Sequence, residues 1–148
     1  GILRAVPGAS ITIIGRFPPP EILIYSHRDS VVFTDYVPDV RPYLQRHSVF
    51  VAPVISGAGL RGKVLEAMAM GKPVVATRRC AEGYPFESGR DLMISDTPED
   101  FIRDTVTLLQ DADRRREMGN TARLRVKEDF GVDQLTELFE RIHEDVMQ

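Results

Sequence analysis

The sequence predicts an α/β fold: a doubly wound parallel sheet of the Rossmann-like kind, incomplete at the N-terminus and followed by a C-terminal helical segment. Five short runs of β-branched and apolar residues recur over the first two thirds of the chain. They are continuous rather than alternating, as strands covered on both faces are. Segments long enough to hold a crossover helix separate them, which favours parallel over hairpin pairing.

Taken in order, GILRAVPG at the start reads as the last turn of a helix closed by a Pro-Gly stop. A helix that ends with nothing before it predicts a fragment of a longer protein, with residues 1–148 forming one domain. Ile11–Gly15, Val31–Thr34, Val49–Pro53, Val74–Thr77 and Leu92–Ser95 are the five expected strands. Short helices are expected over Glu21–His27 and Val40–His47, where Pro38 and Pro42 suit a first turn, and a further helix from Leu60 to Met70. Beyond Thr97, a capping residue, Pro98 opens a helix in which Phe101, Ile102, Thr105, Leu108 and Leu109 recur at helical spacing. A second helix follows Asp111 and carries Met118, Ala122, Leu124 and Val126. A third starts at Asp133 with the stripe Leu135, Leu138, Phe139, Ile142 and Val146.

Composition excludes several classes. A net charge of −3 with no long basic run argues against a nucleic-acid groove or an anionic membrane surface. No apolar run approaches the ~20 residues of a membrane span. Cys80 is the single cysteine, so no intrachain disulfide can form, and no Cys/His spacing suits a metal; a reducing, cytoplasmic setting is expected.

The stretch PVISGAGLRGKVLEAMAMGKPVVAT, Pro53 to Thr77, holds the candidate chemistry. The strand SVFVAP delivers the chain to a turn containing Gly57, Gly59 and Gly62, where missing Cβ atoms let backbone N–H groups approach an anion. The positive end of the helix beginning near Leu60 adds to the same attraction. These glycines satisfy G-x-G-x-x-G, but Val54, Ile55 and Ser56 separate the first from its strand. After the next strand come Thr77, Arg78 and Arg79, where a nicotinamide site would have an acidic ribose ligand about 20 positions on. Two arginines could take a 2′-phosphate, so an NADP-binding domain of an oxidoreductase stays open.

Glu66 sits among Val64, Leu65, Met68 and Met70. A carboxylate near a packed helix face needs hydrogen-bond partners. Two ribose hydroxyls would supply them; so would Lys63, three residues earlier, for a glutamate facing solvent. The residues leave both open.

GAGLRGKVLEAMAMGKPVVAT resembles the donor-site segment of the group 1 glycosyltransferases, retaining enzymes of the two-domain GT-B fold. The likeness extends from Pro7 to about Asp96, through SVFVAP and AEGYPFESGRDLMIS, and more loosely beyond. It implies the C-terminal domain that binds a nucleoside-diphosphate sugar, with the acceptor domain and the first strand of this domain lying before Gly1. On this resemblance Glu66 binds the donor ribose and the backbone from Gly59 to Gly62 meets the diphosphate, within a donor-binding turn of Ser56, Gly57, Ala58, Gly59, Leu60, Arg61 and Gly62. Arg61 and Lys63 are its cationic partners, Ser56 offers a hydroxyl, and Tyr36 and Val37 lie near the nucleobase. The partners implied are a nucleotide-sugar and the N-terminal domain of the same protein; no cofactor and no metal are called for. The catalytic residues remain unassigned. Many members carry a second glutamate eight positions before the ribose ligand; here that position is Ala58. A non-catalytic binding domain on the same fold is therefore a further alternative, and a GT-B epimerase another.

Asp111-Ala112-Asp113 has the spacing of a metal-binding D-x-D, but its place between two helices predicts helix capping. His27, His47 and His143 have no neighbouring nucleophile.

Overall fold

In the computed structural model, which describes residues 1–57, 61–134, 136, 140 and 143, five parallel strands alternate with helices. The expected third C-terminal stripe, Leu135, Leu138, Phe139, Ile142 and Val146, lies outside the described residues. The elements are α1 (Ile2–Ala5), β1 (Ile11–Ile14), α2 (Pro20–Leu23), β2 (Val31–Thr34), α3 (Arg41–Arg46) and β3 (Phe50–Ala52). After them come α4 (Gly62–Ala69), β4 (Val74–Ala76), α5 (Arg78–Ala81), β5 (Met93–Ile94), α6 (Pro98–Gln110) and α7 (Ala112–Phe130). Each expected strand is present, and α5 is a turn of helix the residue pattern does not announce.

The strands form two parallel groups, β1–β2 and β3–β4–β5. Ile11 lies opposite Val31 in the first, and Phe50 opposite Val74 in the second. Among the described residues no strand ladder joins them. A side-chain link does connect them: Thr12 Oγ1 of β1 meets His47 Nε2, just before β3, at 2.9 Å. His47 Nδ1 lies 2.7 Å from the Tyr43 carbonyl. A carbonyl can only accept, so Nδ1 carries a proton.

β4 is buried along its whole length and shows why the arrangement is doubly wound. Val74 and Ala76 join Val64, Ala67 and Met68 of α4 and Ala122 and Val126 of α7 in one cluster. Val75, pointing the other way, packs with Leu108 of α6 and Met118. A strand turns successive side chains to opposite faces, so helices on both sides are needed to cover it. Among the described residues no such cover lies over both faces of β1 and β2, and Ile11, Ile14 and Val32 are exposed.

Local chemistry sets the helix limits. Pro42 occupies the first turn of α3, and Pro98 is the first residue of α6. The Thr97 hydroxyl accepts from the Asp100 N–H at 3.1 Å and donates to the Asp100 carboxylate at 2.8 Å, capping α6. Asp111 caps α7 by accepting from the Arg114 N–H at 2.9 Å, the role its sequence context predicts. α4 ends in a Schellman turn: the Lys72 N–H donates to Ala67 O and the Gly71 N–H to Met68 O, with Gly71 at φ 69°. Among the described residues no helix is long and apolar enough to cross a membrane.

Candidate donor site at the carboxyl edge of the three-stranded sheet

β3, β4 and β5 run in the same direction, so the segments that follow them leave from one edge. In parallel α/β sheets that edge is where ligands bind. Here it gathers Pro53–Gly57 after β3, Thr77–Arg79 after β4 and Ser95–Asp96 after β5.

The loop after β3 is held by its carbonyl oxygens. Thr77 Oγ1 donates to Val54 O at 2.5 Å, Arg61 Nη2 to Ser56 O at 3.2 Å and Arg79 Nε to Gly57 O at 3.1 Å. Gly57 has φ 107°, which an L side chain rarely adopts, and a Cβ there would stand 2.7 Å from Arg61 Nη2. The predicted turn residues Ala58, Gly59 and Leu60 lie outside the described residues. α4 is described from Gly62, with Arg61 as the residue before its first turn.

Glu66 lies one turn into α4. Val64, Ala67 and Met68 form the buried face, and Glu66 flanks it, its side chain 37% exposed. Lys63 Nζ donates to Glu66 Oε2 at 2.8 Å. The lysine pair left open by the residues is therefore present, on a carboxylate only partly withdrawn from water. Arg41 lies within electrostatic reach as well. Its pKa is raised, first by the hydrogen-bonded Asp39 carboxylate and to a smaller degree by the charge of Glu66. Nothing in the spacing of the chain marks Arg41 as a neighbour of Glu66.

Beside the loop, Arg78 pairs with Asp96 at 3.2 Å and Arg79 with Glu82 at 2.6 Å. Both arginines line a cavity of about 480 Å³ together with Glu82, Tyr84, Phe86 and Ile94. Arg61, expected to point at phosphate, is instead folded onto its own loop. The chain thus has two guanidinium groups on the carbonyl side of the loop and one ammonium, Lys63, on the helix.

Tyr36 and Val37 follow β2, in the other strand group. Tyr36 is 63% exposed, with the Arg16 guanidinium 4.6 Å from its ring centre, a cation–π contact. Arg16 also comes within 3.8 Å of Asp35.

Comparison with known proteins extends this picture. A search of curated proteins finds no match. Among solved structures, HepE of Anabaena, crystallised with UDP and glucose, superposes with TM-score 0.76 at 16% identity over 97% of this chain and 44% of HepE. Sucrose-phosphate synthase of Thermosynechococcus elongatus gives 0.79 at 19% identity over 98% of this chain and 41% of the synthase. The C-terminal domain of the group 1 glycosyl transferase LpcC from Francisella tularensis gives 0.75 at 16% identity, covering 88% of this chain and 74% of that one. The chain thus spans less than half the length of HepE and of the synthase, and at these identities the likeness is one of fold. The family model described as "Glycosyl transferases group 1" matches residues 2–111. With most of its length matched, the chain belongs to the group 1 glycosyltransferases.

Proposed function

We propose that this chain is the donor-binding domain of a retaining glycosyltransferase, seating a nucleoside-diphosphate sugar for transfer to an acceptor hydroxyl. The observation that carries the reading is the loop after β3, pinned by its carbonyls beside the first turn of α4, with Glu66 half-exposed one turn further on. A nucleoside diphosphate offers matching groups: an anionic bridge for amides, the helix end and Lys63, and a pair of ribose hydroxyls for Glu66. Lys63 would turn from Glu66 to phosphate as the ribose takes its place. Ser56, Ala58, Gly59, Leu60 and Gly62 complete the loop in this reading, and Tyr36 and Val37 flank the base. HepE was crystallised with UDP, which makes UDP the first ligand to try.

Electrostatic stabilisation of the departing diphosphate would then lower the barrier, with configuration retained at the sugar. An N-terminal domain of the same protein would position the acceptor, so residues 1–148 alone would bind donor without turning it over. A lone buried thiol, Cys80, suits a cytoplasmic setting.

A thermal-shift series with UDP, GDP, ADP, their sugars and NADP, repeated on Glu66→Ala, tests the proposal. At ~100 times its dissociation constant a ligand adds about 2.7 kcal/mol of stability. A nucleoside-diphosphate shift that disappears in Glu66→Ala supports it; an undiminished shift removes the ribose role. Stabilisation by NADP alone would favour the oxidoreductase reading, although Arg78 and Arg79 already hold carboxylates. If the protein with its acceptor domain binds donor but neither transfers nor hydrolyses it, the domain is a non-catalytic binder, and Ala58 is the first residue to suspect.

A further inference from the structure

Three side chains from three separate elements grip consecutive parts of one loop through its carbonyl oxygens alone. Thr77 follows β4, Arg61 precedes α4, and Arg79 belongs to α5. They hold Val54 O, Ser56 O and Gly57 O respectively. A trans peptide is planar, with its C=O and the following N–H pointing in opposite directions. No cis peptide is present among the described residues. Fixing Val54 O and Ser56 O therefore turns the Ile55 and Gly57 N–H groups to the far side of the loop, away from Thr77 and Arg61.

Of the three, Arg79 stands apart. Arg61 lies five positions from Ser56, and Thr77, directly after β4, is placed by the pairing of β4 with β3, whereas Arg79 reaches Gly57 from α5, beyond that strand. Its guanidinium is oriented from behind by Glu82, which accepts from Nη1 at 2.6 Å while Nε is aimed at the loop. The planar guanidinium lets two acceptors be held at a fixed angle, which an ammonium cannot do. Gly57 needs such a hold: at φ 107° it has no side chain of its own to pack, and glycine is the residue most free to leave that conformation.

We propose that Arg79 is a positioning residue, a latch that Glu82 orients: by holding the Gly57 carbonyl while Arg61 holds that of Ser56, it fixes both peptide planes flanking Gly57 and keeps the Gly57 N–H turned toward the donor diphosphate. The inference deepens the donor-site reading and rests on it for the ligand; the latch itself is testable with no ligand present.

The variants are Arg79→Met, Arg79→Lys and Glu82→Gln in the 148-residue chain. The Arg79 side chain is 45% exposed and that of Glu82 64%, so these changes leave the core intact. The first readout is the backbone order of the Gly57 amide by nitrogen-15 relaxation. A rigid value near 0.85 in the wild type, falling below about 0.6 in Arg79→Met, is expected, with intermediate values in Arg79→Lys and Glu82→Gln. Unchanged order at Gly57 in Arg79→Met overturns the latch. The second readout is a titration with UDP and with uridine. Arg79→Met is expected to weaken UDP about tenfold, equivalent to 1.4 kcal/mol, with uridine unaffected. Equal weakening of both ligands, or none, overturns the assignment, as does full UDP affinity in Arg79→Lys, which would mean that charge alone matters. Failure of the wild type to bind any nucleoside diphosphate overturns the donor-site reading instead, and the order of Gly57 then still decides whether the latch exists.

Discussion

Gly119 of α7 lies directly against the carbonyl oxygen of Gly71, so closely that a Cβ on Gly119 would overlap the Gly71 backbone. Gly71 is the positive-φ residue ending α4, and α4 and α7 share Val64, Ala67, Met68, Ala122 and Val126 in one core cluster. The close approach of the two glycines lets these side chains interlock behind the helix that carries Glu66. Gly119→Ala should destabilise the protein by about 1–3 kcal/mol, because the atom that must move is backbone, not a flexible side chain. Urea denaturation measures this; a midpoint equal to the wild type's would mean that the helices separate at no cost.

Ser95, just after β5, and Asp104, in the middle of α6, form a buried pair. The Ser95 hydroxyl donates to Asp104 Oδ2 at 2.7 Å, and Arg103 Nε donates to Oδ1 at 3.0 Å. Ser95→Ala strands one carboxylate oxygen away from water, with an expected loss of about 1–3 kcal/mol. Combining it with Asp104→Asn should cost less than the sum of the two single changes, since they remove one interaction.

Asp100 gives the chain an acid-sensitive cap. The Thr97 hydroxyl, and after it the Arg103 guanidinium, hold its carboxyl below the ordinary 3.8. A carboxyl that binds its proton less tightly when folded favours the native state as pH rises. Its contribution is complete above 3.8 and is lost as pH falls through the lowered native value. The melting temperature of Asp100→Asn should therefore lie below that of wild type near neutral pH, with the gap closing as pH falls below the ordinary 3.8 and through the lowered native value. A gap independent of pH would show that charge at Asp100 does not matter.

β1 and β2 should open before β4. Their side chains are part-exposed, where those of β4 are fully buried. The Thr12–His47 hydrogen bond ties this pair to the rest, and a net contribution of about 1 kcal/mol is expected from it. Native-state hydrogen exchange should find the Ile13 and Val32 amides, which pair across β1 and β2, less protected than that of Val75, and His47→Phe should widen the difference. Equal protection in all three would mean that the two strand groups unfold as one.

The positions of the strands along the chain were legible because burial on two faces leaves a simple trace, a run such as Val74–Ala76 with no polar interruption. The caps at Thr97 and Asp111 were legible for the same local reason: their hydrogen bonds span three residues. Glu66 could be singled out by its apolar neighbours, but its pairing with Lys63 and its nearness to Arg41 depend on rotamers and on the packing of α3. Arg61 has the type and position of a phosphate ligand, yet its guanidinium bonds the Ser56 carbonyl. The hold of Arg79 on Gly57 crosses from one strand end to another and has no periodicity to betray it. The division of the sheet was also hidden, since apolar runs name strands without naming which neighbours they pair with.

The separation of the two strand groups has a consequence for selectivity. If Tyr36 meets the base and Glu66 the ribose, the heterocycle is read by the softer half of the domain and the invariant part of the nucleotide by the stiffer half. Exchanging one base for another would then ask only for local adjustment around Arg16 and Tyr36, leaving the grip on sugar and phosphates untouched.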